Sequence, residues 1–298
     1  QARGLYTGAI GWFDRPSVGN ELGDFMLSVP IRTLVLEASS GNDVRRGVMS
    51  VGAGIVHDSQ PDSEYAECLL KARFLTGLSS HFGLIETLQA SRREGARYLK
   101  RHLARLQISA RHFGFACDLA VIENDIGVVC AQLSHGVMYR LRLVLSHDGK
   151  IAIHTAPMRS IARLPVRLLL AAQPTHSQDV FLKHKTTLRQ RYDIAWQAAE
   201  KEGAFDALFV NEKSHLTEGG RSNLFIRCRG QWLTPPLSDG VLPGVMRAVL
   251  LADPVMKATE AALTLDDLRS AEEIVVCSSL RGPLPAWVDW GAAPIQVT

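Results

Sequence analysis

The chain has 298 residues, 46% hydrophobic and 21% charged, with a formal net charge of +3; this is ordinary globular composition, with length for about two domains and a real core. Lysine and arginine are scattered, so no block of charge marks a nucleic-acid arm or a membrane-surface helix. The longest apolar runs, such as Leu168 to Ala172, fall far short of the roughly 18 residues of a membrane span, and neither a nucleic acid nor a membrane is expected as a partner.

Residues 5 to 12 and 25 to 38 are rich in β-branched and aromatic residues separated by Gly, Pro, Asn and Asp, a composition that predicts strands and turns. A third short strand is expected to run into Gly52-Ala53-Gly54. From Asp62 the pattern becomes helical, with Tyr65, Cys68, Leu69, Ala72 and Leu75 on one face, and Thr76 to His81 reads as a linker. A strand over Phe82 to Leu88 then leads to a helix from Tyr98 to Phe113, whose stripe is Leu99, Leu103, Leu106 and Ala110. A second helix and strands over Met138 to Ser146 and Ile151 to Ala156 complete an α/β unit. From Pro165 short strands dominate, broken by helices near Leu188 to Lys201 and Met246 to Leu251.

The five cysteines (Cys68, Cys117, Cys130, Cys228, Cys277) are odd in number and form no C-x-x-C pair, so reduced thiols in a cytoplasmic protein are expected rather than a disulfide framework or zinc knuckle. Residue 1 is Gln and no basic start with an apolar run follows, so no signal peptide is expected and the chain is read as cut from something longer. The phosphate loop G-x-x-x-x-G-K-S/T, the zinc motif H-E-x-x-H and the nucleophile elbow G-x-S-x-G are all absent. Gly52-Ala53-Gly54 lacks the third glycine of a dinucleotide fingerprint and reads as a tight turn.

Chemistry-bearing pieces are concentrated in the second part: His102-Leu103-Ala104-Arg105-Leu106, then His184-Lys185-Thr186-Thr187-Leu188-Arg189, then Leu216-Thr217-Glu218-Gly219-Gly220-Arg221-Ser222-Asn223-Leu224-Phe225, then Leu242-Pro243-Gly244-Val245-Met246-Arg247 and Val276-Cys277-Ser278-Ser279. In this order and spacing, over about residues 82 to 298, they resemble the class IV aminotransferases, the pyridoxal-phosphate (PLP) family that includes branched-chain and D-amino-acid aminotransferases and aminodeoxychorismate lyase. In that family a lysine is joined to the cofactor aldehyde, yields it to the substrate amine and then moves a proton as a free amine. The resemblance gives that role to Lys185, with Lys183 as its rival if both lie on one strand. Arg189 follows at the spacing of the lyase branch. It gives Glu218 the place against the pyridine nitrogen, and Arg105, the amides of Val245 and Met246, and Ser279 the cofactor phosphate. Asn223 and Arg221 shape the loop carrying Glu218, with a substrate carboxylate as the other role open to Arg221. His102, His184 and His215 read as packing or surface histidines.

The first segment carries its own motifs: Arg3 to Trp12, Ile31-Arg32-Thr33, Gly52 to Val56, and Asp58-Ser59 through Glu64-Tyr65-Ala66-Glu67 to Lys71. Over about residues 1 to 76 these resemble the C-terminal end of a chorismate-using synthase, the family of anthranilate synthase and aminodeoxychorismate synthase component I. The resemblance implies that Tyr6 and Arg32 help hold chorismate, that Glu64 and Glu67 ligate magnesium, and that Lys71 lies close by. Carboxylates at this spacing share a helix face. Most of such a synthase is missing, so Mg2+ is expected only with a complete synthase domain, and no synthase activity is expected of this chain alone.

The resemblance therefore implies an α+β, two-domain class IV PLP fold similar to D-amino-acid aminotransferase, preceded by a partial chorismate-binding segment. Its parts are a synthase fragment at 1–76, a small α/β domain at 82–164 and a large PLP-binding domain at 165–298. The expected function is aminodeoxychorismate lyase in folate synthesis, giving 4-aminobenzoate and pyruvate. A homodimer is expected, with the rest of a synthase and a glutamine amidotransferase subunit as further partners. The alternatives are a branched-chain or D-amino-acid aminotransferase, which needs a keto acid to turn over, and a non-catalytic partner that binds chorismate-like ligands without PLP.

Overall fold

A computed structural model of the chain describes residues 4–16, 18–19, 23–38, 47–76 and 82–297. Contacts within the chain divide it into two units, Gln1–Ser80 and His81–Thr298.

In the first unit β1 (Ile10–Phe13) pairs antiparallel with β2 (Phe25–Ser28), and β3 (Leu34–Leu36) with β4 (Gly47–Met49); α1 (Pro61–Thr76) follows. The first strand starts later than expected, because residues 4–8 turn: Thr7 has φ 62° and the Gly8 amide donates to the Leu5 carbonyl at 3.0 Å. The expected strand 25 to 38 breaks in two at Pro30, which has no N–H for a ladder, and at Arg32, whose φ is 54°. The third strand ends at Met49, so Gly52-Ala53-Gly54 lies beyond it. All residues of β1 and β2 are exposed, and of the residues expected to share one face of α1, Tyr65 is 67% and Leu69 55% exposed. Two separate hairpins supply no sheet face broad enough to cover a helix. The linker expected at 76 to 81 lies, after Thr76, outside the described residues.

The second unit opens with β5 (Leu84–Ser91), β6 (Gly95–Ala96), α2 (Leu99–Phe113), α3 (Leu119–Gln132), β7 (Tyr139–Leu145) and β8 (Ile151–Pro157). Its antiparallel sheet has the order β6-β5-β7-β8. Strand alternation splits it cleanly. Leu84, Leu88, Leu141, Leu143 and Leu145 pack against Leu103, Leu106 and Ala110 of α2 and Ile122 and Ile126 of α3, whereas Ile85, Thr87, Arg140 and Arg142 face the opposite way and line a cavity. The stripe expected on α2 is the buried one. That helix stops at Gly114, whose φ of 72° is one that glycine adopts without strain. The Asp118 carboxylate caps α3 by accepting from the amides of Ala120 and Val121.

The rest comprises β9 (Val166–Leu170), α4 (Gln190–Lys201), β10 (Asp206–Val210), β11 (Leu216–Gly219), β12 (Asn223–Cys228), β13 (Gln231–Thr234), α5 (Val245–Leu251), β14 (Thr259–Glu260), α6 (Leu265–Arg269), β15 (Glu273–Ser278) and β16 (Gly282–Val288). The strand order is β11-β10-β9-β16-β15-β12-β13-β14, and β11 also pairs with β12, which closes the sheet into a barrel. Phe209 and Phe225 are fully buried, each contributing roughly 1.5–3 kcal/mol of burial. The chain around Lys185 pairs with the start of β5: the Ile85 amide donates to the Lys185 carbonyl at 2.8 Å and the Thr187 amide to the Gly83 carbonyl at 2.9 Å. This places Lys185 where the small sheet meets the barrel.

Candidate active site

A cavity of about 1140 Å³ opens at that junction. Lys185, Glu218, Arg105, Asn223, Arg221, Val245, Met246 and Ser279, all singled out from sequence, line it together. Lys183 does not. It ends a 3-10 turn, Val180–Lys183, and is exposed, so the two lysines are not alternate residues of one strand and the expected shared orientation does not arise.

Among the described residues the Lys185 amine has no ion-pair partner. Burial, then the charges of Arg189 and Arg105, pull its pKa from 10.5 to about 7 against the opposing pull of Glu86 and Glu218. A large fraction is therefore free amine at neutral pH. Glu218 sits at the end of β11 and is buried. Burial pushes its pKa to about 7, opposed by the Leu242 amide, Lys185 and Arg189.

The turn from β11 to β12 is held from below. Asp206, fully buried, accepts from the Ser222 hydroxyl at 2.6 Å and the Arg221 amide at 3.1 Å. A Cβ on Gly219 would lie 2.4 Å from the Asp206 carboxylate, so only glycine fits there. Asn223, opposite Glu218 in the ladder, donates to the Glu218 carboxylate at 2.9 Å and to the Leu242 carbonyl at 3.1 Å. Asn223 thus ties Glu218 to the loop that leads into α5. The Arg221 guanidinium donates to the Phe205 carbonyl and lies over the rings of Trp196 and Phe205. Arg105 forms an ion pair with Glu86 and donates to the Pro243 carbonyl at 3.1 Å. Ser279 donates to the Thr87 carbonyl at 3.1 Å.

Four contributors were missed in the sequence. Tyr192 lines the cavity, and its buried hydroxyl lies against the Glu218 carboxyl. Burial, then the Glu218 charge and the hydrogen bond to it, push its ionisation well above the ordinary range, so it stays a phenol facing the Glu218 carboxyl. Its signal was the helical spacing Arg189, Tyr192, Trp196. Asp206 could have been suspected as an acid opening an apolar strand. Arg140 and Arg142 read as the polar face of an alternating strand, yet that face is the cavity wall. Of the histidines, His184 lines the cavity and hydrogen-bonds Ser109 at 2.9 Å, His102 pairs with Glu86, and His215 pairs with Asp239 away from the cavity.

In the first unit the Lys71 amine pairs with Glu67 at 2.7 Å and donates to the Gly52 carbonyl at 2.9 Å, while a Cβ on Gly52 would lie 2.6 Å from the Tyr6 hydroxyl. Tyr6, Gly52, Glu67 and Lys71 therefore cluster. Glu64 instead accepts from Ser59 at 2.7 Å, and Arg32 is exposed. Among the described residues no group of three potential metal ligands forms, and no helix is long and apolar enough to cross a membrane.

The second unit's donor set fits PLP. An amine with a lowered pKa for the aldehyde, a buried carboxyl with a phenol beside it, and an arginine with spare N–H groups share one cavity.

Residues 83–286 match the family described as amino-transferase class IV, and residues 1–77 match chorismate binding enzyme. A Schizosaccharomyces pombe protein assigned as an aminodeoxychorismate lyase is 29% identical over 188 residues, 61% of this chain and 80% of that protein. An anthranilate synthase component 1 of Haloarcula marismortui is 45% identical over 73 residues, 24% of this chain and only 12% of that protein. Among solved structures, a Mesorhizobium loti protein assigned as an amino-acid aminotransferase superposes with TM-score 0.64 at 36% identity, covering 70% of this chain and 100% of that one. A Legionella pneumophila protein assigned as a 4-amino-4-deoxychorismate lyase superposes with TM-score 0.61 at 25% identity, covering 72% and 85%.

Proposed function

The chain belongs to the class IV aminotransferase family, and on that premise we propose that it is a PLP-dependent aminodeoxychorismate lyase, carried on one polypeptide with a chorismate-using synthase segment. The observation that carries the choice of substrate is the charge of the cavity wall. Arg140 and Arg142 project from one face of β7 into the cavity with no acidic partner among the described residues, and the Arg142 Nε is buried without a hydrogen bond. Arg140 is exposed and Arg142 half-buried, and unpaired guanidinium groups lining a cavity offer a carboxylate charge-assisted, bidentate hydrogen bonds. Aminodeoxychorismate is a dicarboxylate, whereas a branched aliphatic side chain offers such a wall nothing.

PLP, when bound, supplies an aldehyde for the substrate amine and a ring that draws off the charge left by proton loss. Arg105, Ser279 and the amides of Val245 and Met246 would hold its phosphate, Glu218 its ring nitrogen, and Lys185 its aldehyde carbon. The Lys185 Nζ, with a pKa suited to neutral pH, would take the ring proton beside the substrate amine. Glu218, held by Asn223, keeps a proton available at the pyridine nitrogen. Loss of the ring proton and departure of enolpyruvate leave an aromatic ring, so the products are 4-aminobenzoate and pyruvate with no oxidant and no keto acid. The reading includes a homodimer, and a complete synthase to supply the substrate.

The test is the purified chain with PLP and aminodeoxychorismate, without keto acid. Repeated turnover releasing pyruvate and 4-aminobenzoate is expected. A single turnover that stops with aminated cofactor until a keto acid is added would replace the lyase with an aminotransferase. A chain that takes up no PLP would make it a non-catalytic binder.

A further inference from the structure

Strand β5 carries an acid where its pattern calls for an apolar residue. Leu84, Glu86 and Leu88 share the face covered by helices, and Glu86 is only 3% exposed. Its carboxylate accepts three hydrogen bonds. Oε1 accepts from Arg105 Nε at 2.9 Å, and Oε2 accepts from Arg105 Nη2 at 2.5 Å and from the His102 ring Nδ1 at 2.6 Å. Burial alone would push this carboxyl up, but the Arg105 charge and the bonds from His102 and Arg105 hold it down at about 2. Glu86 is therefore ionised and can only accept, so the proton of His102 sits on Nδ1. The opposite nitrogen, Nε2, is buried without a partner.

Neither Glu86 nor His102 lines the cavity, whereas Arg105 does. Of the five N–H groups of a guanidinium, Arg105 gives two to Glu86 and one to the Pro243 carbonyl, just before α5. Two are left. The fork fixes the plane of the guanidinium, and the Pro243 contact fixes its far end against the barrel. The fork also cancels the arginine's charge, which works against simple attraction of an anion.

We propose that Glu86, supported by His102, is a positioning residue that orients Arg105 so that its two remaining N–H groups meet the cofactor phosphate, at the expense of the arginine's net charge. This rests on the PLP reading of the cavity. It separates two roles by sign. If Glu86 acted only through charge, removing its charge would strengthen phosphate binding; if it acts by orientation, removal weakens it.

The experiment is equilibrium binding of PLP and of pyridoxal, which lacks the phosphate, to the cofactor-free full chain, the Glu86→Gln variant and the milder His102→Asn variant, followed by absorbance. Glu86→Gln is expected to weaken PLP roughly tenfold to a hundredfold, the span expected for hydrogen bonds to a charged group, while pyridoxal binding stays within about twofold. His102→Asn is expected to show the same selective loss to a smaller degree. Tighter PLP binding in Glu86→Gln would overturn the proposal in favour of charge. Unchanged PLP binding, or equal loss of both ligands in both variants, would overturn it too, the latter by making Glu86 a folding residue. A parent chain that binds neither ligand would instead remove the PLP reading on which the proposal rests.

Discussion

Glu218→Gln should stabilise the cofactor-free protein while impairing its chemistry. The folded chain ionises Glu218 at about 7 instead of 4.5, chiefly because the carboxylate is buried. Between those values the folded chain keeps a proton that the unfolded chain releases, so the penalty is absent below pH 4.5 and complete above pH 7. A shift of that size corresponds to ~3 kcal/mol of burden on the ionised form. Glutamine cannot ionise, keeps an oxygen for Asn223, and brings a buried amide that needs partners of its own, so the net gain at pH 8 is expected to be about 1–3 kcal/mol. For a unit of this size that is a rise in Tm of roughly 2–4 °C per kcal/mol. Thermal unfolding of parent and variant at pH 4.5 and pH 8, without PLP, measures it. The difference should be near zero at the lower pH and favour the variant at the higher. A variant no more stable at pH 8, or a difference that ignores pH, would refute the assignment of a strained buried carboxyl at this position.

Two further substitutions test neighbouring parts of the site. A Cβ on Gly244 would lie 1.8 Å from the Asn223 side-chain oxygen, so Gly244→Ala should displace Asn223 and cost about 1–3 kcal/mol by overpacking, seen in chemical denaturation, with weaker PLP binding. Arg142→Leu should raise KM for aminodeoxychorismate by about tenfold or more through loss of a charged contact and leave PLP affinity unchanged; steady-state kinetics alongside a PLP titration separate the two.

Much of the candidate site was legible because the residues that carry the family resemblance stand in a fixed order and line one cavity. Lys185, Glu218, Asn223 and Ser279 stand in or between separate elements of the chain, and the closure of β11 onto β12 brings Glu218 and Asn223 face to face. What sequence could not resolve was local geometry. Lys183 and Lys185 look alike at alternate positions, and only the 3-10 turn ending at Lys183 separates them. Arg142 looks solvent-facing because a strand's polar face reads the same whether water or a cavity lies beyond it. Glu86 did leave a trace, an acid at an inward position of β5, which a buried strand tolerates only when the charge is paired. In the first unit, composition predicted strands and turns, and helical spacing predicted a helix from Asp62. Those elements are not buried: Trp12, Phe13 and Tyr65 are all exposed in the described structure.

The central claim is that one amine, Lys185, carries the cofactor. Reducing the PLP-loaded chain with borohydride, digesting it and locating the pyridoxyl group by mass spectrometry tests this directly. The modification is expected on the peptide containing Lys185, at Lys185 itself, and should be lost in Lys185→Ala. A pyridoxyl group on Lys183, or labelling that persists in Lys185→Ala at the parent's level, would contradict the account.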